Sequence, residues 1–300
     1  MHAVAIGVEA TGGFEQVVAA TVAGVGLPVV VVNPAQVRAF ARAPGQRAKT
    51  DPIDAGVIAH FIAATRPQVR PLPDEQTRLL AEMVTRRRQI IQMLVAERQR
   101  QQHPLGRAMK KSVARLILAL EKELNALDEG IDEALRGCEA WKEKQDLLKS
   151  VPGVGDVTAR TLLAEMPELG TLDRRKIAAL AGLSPYTQSS GKWKGKSFIA
   201  GGRSRVRAVL YMAAMTAIRA NPLLKDFYQQ LLVRGKARLA APIAVARKLL
   251  TILNAINRDK KPWTPVHPLG AASRSLTNPA TERGEERWAI LLVSNRGSKP

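Results

Sequence analysis

Acid, aromatic rings, histidine and cysteine are all scarce in this sequence, and each shortage closes off a class of protein. A single cysteine, Cys138, excludes an internal disulfide framework and any multi-cysteine metal site. Four histidines (His2, His60, His103 and His267) are scattered without the paired spacing of zinc enzymes. No apolar run reaches the ~18 residues that cross a bilayer, and the apolar start lacks the basic flank and processing site of a secretory signal. A soluble, intracellular protein with no membrane partner is expected. Aromatic residues make up only 4% of the chain, so Ala, Leu, Val and Ile carry most of its 46% hydrophobic content. That balance favours helix-rich packing over a β-sandwich.

What is abundant is positive charge. Lys and Arg number 46 against 26 acids, a formal net charge of +20 over 300 residues. Such an excess repels itself in a compact state, and a polyanionic partner best accounts for it. Nucleic acid is the leading expectation; a ribosome-associated or membrane-surface protein is the alternative. The length suggests two domains of roughly 150 residues.

Residues 1–8 read as a short buried strand, TGG at 11–13 as a turn, 14–24 as a helix and 28–33 as a second β-branched strand. Helices are expected at 35–43 and 52–65. This strand–helix–strand–helix order is that of an α/β layer, although two strands are few for a stable sheet. After a Pro-punctuated linker at 66–73, residues 74–101 read as one amphipathic helix, with Leu79, Leu80, Met83, Ile90, Ile91, Leu94 and Val95 at near-heptad spacing. A break at His103-Pro104 precedes a second helix over about 112–136, bearing Leu116, Leu120, Leu124, Leu127, Ile131 and Leu135. The pair predicts an antiparallel coiled-coil hairpin, serving either oligomerisation or packing within one domain. Residues 146–266 read as mainly helical with loops at 184–204, and 267–300 as a weakly ordered tail.

Three constellations carry chemistry. Val-Pro-Gly-Val-Gly at 151–155, ahead of a helix, reads as a helix-hairpin-helix turn in which Gly153 and Gly155 let backbone amides approach a phosphate; a plain packing joint is the other reading. Residues 192–207 carry Lys192, Lys194, Lys196, Arg203, Arg205 and Arg207 with no acid, so they suit a phosphate backbone. Ser190 precedes this segment beside Gly191. A serine hydroxyl is a nucleophile only with help, and nearby cations would stabilise the charge that develops on phosphorus. By itself Ser-Ser-Gly is ordinary loop chemistry. Glu9 ends a strand, where α/β layers place active groups, and Asp51 and Asp54 share a helical face. Carboxylates held close suit Mg²⁺, although Asp51 before Pro52 is also a good helix N-cap.

In order, the motifs are strand-Glu-Ala-Thr-Gly-Gly, Val-Asn-Pro, Lys-Thr-Asp-x-x-Asp-Ala, a helical hairpin, Val-Pro-Gly-Val-Gly, Ala-Gly-Leu-Ser-Pro, Ser-Gly-Lys and Gly-x-Arg-x-Arg-Val-Arg. Over roughly residues 3–266 this series resembles the insertion-sequence one-ten family of transposases, bridge-RNA-guided DEDD/serine recombinases. The resemblance implies an α/β plus α protein. Its parts would be a partial RuvC-like (RNase H-type) α/β domain at 1–66, a coiled-coil hairpin at 74–145 and a mainly helical transposase domain at 146–266.

It further implies Glu9, Asp51 and Asp54 as the second to fourth acids of a Mg²⁺ site, and Ser190 as the residue that becomes covalently linked to DNA. Implied partners are DNA, a guide (bridge) RNA and further copies of the chain, a dimer or tetramer whose subunits share composite sites. The implied location is the bacterial cytoplasm, at the nucleoid when bound. The family's first aspartate lies on a strand some tens of residues before its Glu-Ala-Thr-Gly motif. Only eight residues precede Glu9 here, none acidic, so an N-terminally truncated copy is expected. A DNA transposase acting through a phosphoserine is thus the first reading. A metal-dependent junction nuclease and a non-catalytic nucleic-acid-binding remnant are the others.

Overall fold

Two β-branched runs start the first layer. The computed structural model describes residues 5–264 except 44, 46–49, 70, 71, 73, 105, 188, 191, 192 and 196. Strand β1 (Ile6–Glu9) pairs in parallel with β2 (Val29–Val32), Glu9 standing opposite Val32. A parallel pair needs a crossover, and helix α1 (Glu15–Gly24) supplies it. Helices α2 (Pro34–Arg42) and α3 (Asp51–Thr65) follow. Val30, Val32 and Val37 form the core of this layer, with Val57, Ile58, Phe61 and Ile62 of α3 packed against it. At Gly7 a Cβ would stand 2.1 Å from the Ile62 Cδ1 atom, so glycine is what lets α3 close on β1. Strand β1 is half-buried along its length, not buried as the sequence suggested. It has one hydrogen-bonded neighbour among the described residues, so it lacks the cover of a central strand.

Helix α4 (Glu75–Gln101) begins at Asp74, whose carboxylate accepts from the Thr77 amide at 2.7 Å. It forms an antiparallel hairpin with α5 (Arg107–Arg136), which starts earlier than the sequence suggested. Leu80 and Val84 meet Ile131 and Leu135 in one core cluster, and Ile90 and Leu94 meet Ile117 in another. Leu79, Val95 and Leu116, expected in the seam, lie about half in water instead. Near-heptad spacing does not separate neighbouring rows of one helix, and the partner's position picks the buried row. Ala164 also joins the first cluster, so the hairpin is seated on the next part of the chain.

That part comprises α6 (Glu139–Lys149), α7 (Asp156–Glu165), α8 (Arg174–Leu180), α9 (Ser204–Ala220), α10 (Pro222–Val233) and α11 (Ala241–Asp259). Helix α11 is the axis of this bundle, packing on α6, α8, α9 and α10. Its buried Asn254 accepts from the Gly170 amide at 2.8 Å and donates to the Leu172 carbonyl at 2.9 Å, fixing the turn before α8. The segment expected to be loops at 184–204 is instead built on two short antiparallel ladders. In these, β3 (Pro185–Tyr186) pairs with β6 (Phe198–Ile199), and β4 (Ser189–Ser190) with β5 (Trp193–Lys194). One compact unit ends at Pro262 and a second begins at Trp263; the expected tail at 267–300 lies outside the described residues. No helix among the described residues is long and apolar enough to cross a membrane.

Candidate functional site

The segment from Pro185 to Ile199 folds back on itself as a β-hairpin. Tyr186 stands opposite Phe198, and the Thr187 and Ser197 hydroxyls approach to 3.3 Å. Further out, Ser190 stands opposite Trp193 in the second ladder. The Ser190 side chain is exposed, and no side chain among the described residues hydrogen-bonds to its hydroxyl. It is presented to solvent on a paired strand, not on a loop. A serine hydroxyl without a neighbouring base is a weak nucleophile.

The base of the hairpin is held by close backbone contact. Gly182 and Gly202 both have positive φ, +69° and +62°, and a Cβ on Gly202 would lie 2.2 Å from the Gly182 amide nitrogen. Only glycine fits both turns. Around them, the arginines expected to bind DNA are engaged within the chain. Arg203 makes a two-pronged pair with Glu168 at 2.5 and 2.7 Å. Arg205 reaches the Thr85 hydroxyl at 3.2 Å and Glu165 at 3.7 Å. Arg207 donates to the Gly201 carbonyl at 2.6 Å. Arg203 and Arg205 tie the start of α9 to the turn after α7 and to α4, and Arg207 clasps the Gly201 turn, so their first role is positional. Lys192, Lys196 and the Lys194 side chain lie outside the described residues.

The glycine turn between α6 and α7 divides in the same way. Gly153 has φ +100°, and its Cβ direction is filled by Ala217 of α9 at 2.6 Å, so helix packing accounts for this glycine. Gly155, at the N-terminal end of α7, is exposed, with nothing within 4 Å of its Cβ direction. Asp156 follows it, paired with Lys149 at 2.6 Å. The Lys149 ammonium holds this carboxyl below the usual aspartate range, working against burial. An acid at the first helical position competes with any phosphate there.

The three acids occupy two elements. Glu9 closes β1 and is half-buried. Asp51 and Asp54 lie in the first turn of α3, where Thr50, not Asp51, takes the N-cap position. The Asp54 amide donates to the Thr50 carbonyl at 2.8 Å, and its carboxylate faces Arg38 at 3.8 Å. Among the described residues no three acid, histidine or cysteine side chains converge as a metal site. The donor chemistry nevertheless suits a hard cation, because Mg²⁺ usually takes one or two protein carboxylates and completes its shell with phosphate and water. No hydrogen bond among the described residues joins Ser190 to these acids.

An ion network absent from the sequence reading locks the helical hairpin to α7. Arg87 clamps Asp128 at 2.6 and 3.1 Å, Arg160 of α7 reaches Asp128 at 2.8 Å, and Arg160 also pairs with Asp132. The spacing of Asp128 and Asp132 along α5 was its only sequence signal.

A DEDD transposase model of the IS110 type matches residues 1–109, and the model described as Transposase IS116/IS110/IS902 family matches residues 145–229. The DEDD match implies a divalent metal ion. The chain is 29% identical to a pilin gene-inverting protein of Moraxella bovis, over 85% of this chain and 80% of that one. It is 30% identical to the 44.8 kDa protein of insertion element IS116 of Streptomyces clavuligerus, over 53% of this chain and 41% of that one. It is likewise 30% identical to the 43.6 kDa protein of IS110 of Streptomyces coelicolor, over 49% and 36%.

Proposed function

The chain belongs to the IS110/IS116/IS902 family of transposases, and from that premise we propose that it cuts and rejoins DNA through the Ser190 hydroxyl. As a transposase it binds DNA. The observation that carries the serine assignment is the placement of Ser190, exposed on a paired strand at the hairpin's tip. The Ser190 Oγ would attack a backbone phosphorus, forming a serine–phosphate ester while the bond to one flanking sugar oxygen breaks. The serine proton passes to a base, and the departing sugar oxygen takes up a proton to leave a free hydroxyl. A hydroxyl of another strand then attacks the ester, which restores serine and joins the new strand. Each step exchanges one phosphodiester-type bond for another. The Moraxella relatives are named for inverting a pilin gene, which supports rejoining over degradation.

The ion in this proposal is Mg²⁺, held by Glu9, Asp51 and Asp54, where it would supply positive charge to the scissile phosphate. The family resemblance implies an oligomer, a dimer or tetramer, in which the acids of one copy serve the serine of another. A guide RNA, implied by the family resemblance, would supply sequence specificity by base pairing and leave the protein to grip backbone.

The test is covalent trapping on a nicked DNA substrate that cannot religate. The intact protein is expected to yield a protein–DNA adduct stable to denaturation; Ser190→Ala should yield none while binding the same DNA within about twofold. Adduct formation by Ser190→Ala would overturn the assignment. Mg²⁺-dependent cleavage with no adduct in the intact protein would favour the junction nuclease instead.

A further inference from the structure

The hairpin that carries Ser190 also carries an aromatic pair that the protein's core does not use. Tyr186 and Phe198 stand directly opposite each other in the β3–β6 ladder, their rings stacked with centroids 5.9 Å apart and planes 20° from parallel. Both stay in water, at 54% and 48% exposure. The Tyr186 hydroxyl lies by the Gly201 turn, so its ring is braced against the hairpin's base. A cross-strand aromatic pair contributes only about 0.2–1 kcal/mol to a hairpin, which does not by itself explain two rings left half in solvent. Aromatics are scarce here, five Phe, three Tyr and four Trp, yet Tyr186, Trp193 and Phe198 fall within this one hairpin.

Charge identifies the occupant. Glu168 and Glu165 pair with Arg203 and Arg205 at the base, but from Arg174 to Lys225 the sequence has no Asp or Glu and the hairpin itself carries Lys192, Lys194 and Lys196, so it favours an anion. A flat anionic partner that prizes a ring face is a nucleic acid with an unpaired base. Bases within a duplex are already stacked on both faces and have no face to offer. Tyr186 and Ser190 are four positions apart in sequence, a span of at most roughly 13 Å at ~3.3 Å per residue. That is about four nucleotide steps along one strand.

We propose that Tyr186 and Phe198 form a stacking platform for an unpaired DNA base lying within about four nucleotides of the phosphate that Ser190 attacks. The position of the base rests on the serine reading above; the platform itself does not. It would hold a frayed strand end in place between cutting and rejoining, when that end is otherwise free to diffuse.

The test compares the intact chain with a Tyr186→Leu/Phe198→Leu variant, which keeps an apolar cross-strand pair but removes both ring faces. Probes are a single-stranded DNA oligonucleotide, the duplex of the same sequence and the corresponding single-stranded RNA. The double variant is expected to lose about five- to hundredfold in affinity for the single-stranded DNA and less than twofold for the duplex. Tyr186→Phe should restore most of the loss when returned to the double variant. Fluorescence of 2-aminopurine, placed at successive positions from a trapped cleavage point, should be quenched within about four nucleotides of it in the intact chain. Equal losses on duplex and single strand would overturn the platform, as would no loss at all or a loss confined to RNA. Failure of the two readings is distinguishable. An adduct at Ser190 with unchanged single-strand affinity in the double variant removes the platform. Lost single-strand affinity without any adduct removes the serine assignment and leaves the platform standing.

Discussion

At the scale of single residues, the motifs turn out to serve geometry first. Ala-Gly-Leu-Ser-Pro and the Gly201–Gly202 pair have a packing role, since Gly182 and Gly202 press backbone to backbone beneath the hairpin. Gly202→Ala would add both a left-handed alanine and a steric overlap, at a combined cost of about 2–4 kcal/mol. Urea unfolding of the variant should show that loss, and a change under 0.5 kcal/mol would show that the two turns are not in contact. Ser190 was legible only through the order of motifs around it, since spacing cannot tell a loop serine from one on a paired strand. Tyr186 and Phe198 were missed because they lie twelve positions apart in sequence; the hairpin sets them side by side.

At the scale of elements, periodicity located the helices and left their pairing open. The positions of α4 and α5 were readable from apolar spacing and the His103-Pro104 break. Which face became the seam was settled by contact, with Leu80 and Ile90 buried and Leu79 exposed. The Arg87–Asp128–Arg160 network makes this junction pH-sensitive. The Arg87 hydrogen bond draws the Asp128 pKa below its ordinary value, against the opposing effect of burial, with the charges of Arg87 and Arg160 adding to it. A carboxyl whose folded pKa is lowered contributes stability above its unfolded value, near 3.9, and loses it as pH falls through the folded value. Asp128→Asn should therefore cost about 1–3 kcal/mol at pH 7 and progressively less as pH drops below about 4. Thermal unfolding across that range checks this; a cost that does not change with pH would mean the carboxylate's charge is not what matters.

At the scale of the whole molecule, a formal charge of +20 makes DNA affinity strongly salt-dependent. If six or more phosphates are contacted, affinity should fall about a thousandfold or more between 50 and 200 mM salt. Arg203→Gln should leave the slope of that dependence unchanged, because Arg203 is occupied by Glu168, and lower stability instead. A slope reduced by about one would mean Arg203 contacts phosphate after all. Composition alone pointed to a polyanionic partner, because net charge is a sum that no fold can alter. Apolar period and turn residues determined where most of the helices lie, because these are properties of neighbours in sequence. The order of motifs pointed to the family. Tertiary structure decided that Arg203, Arg205 and Arg207 have partners within the chain, which leucines form the seam and that Ser190 stands on a paired strand. Those outcomes depend on partners far away in sequence, and a charge or an apolar face has no fixed role until its partner is in place.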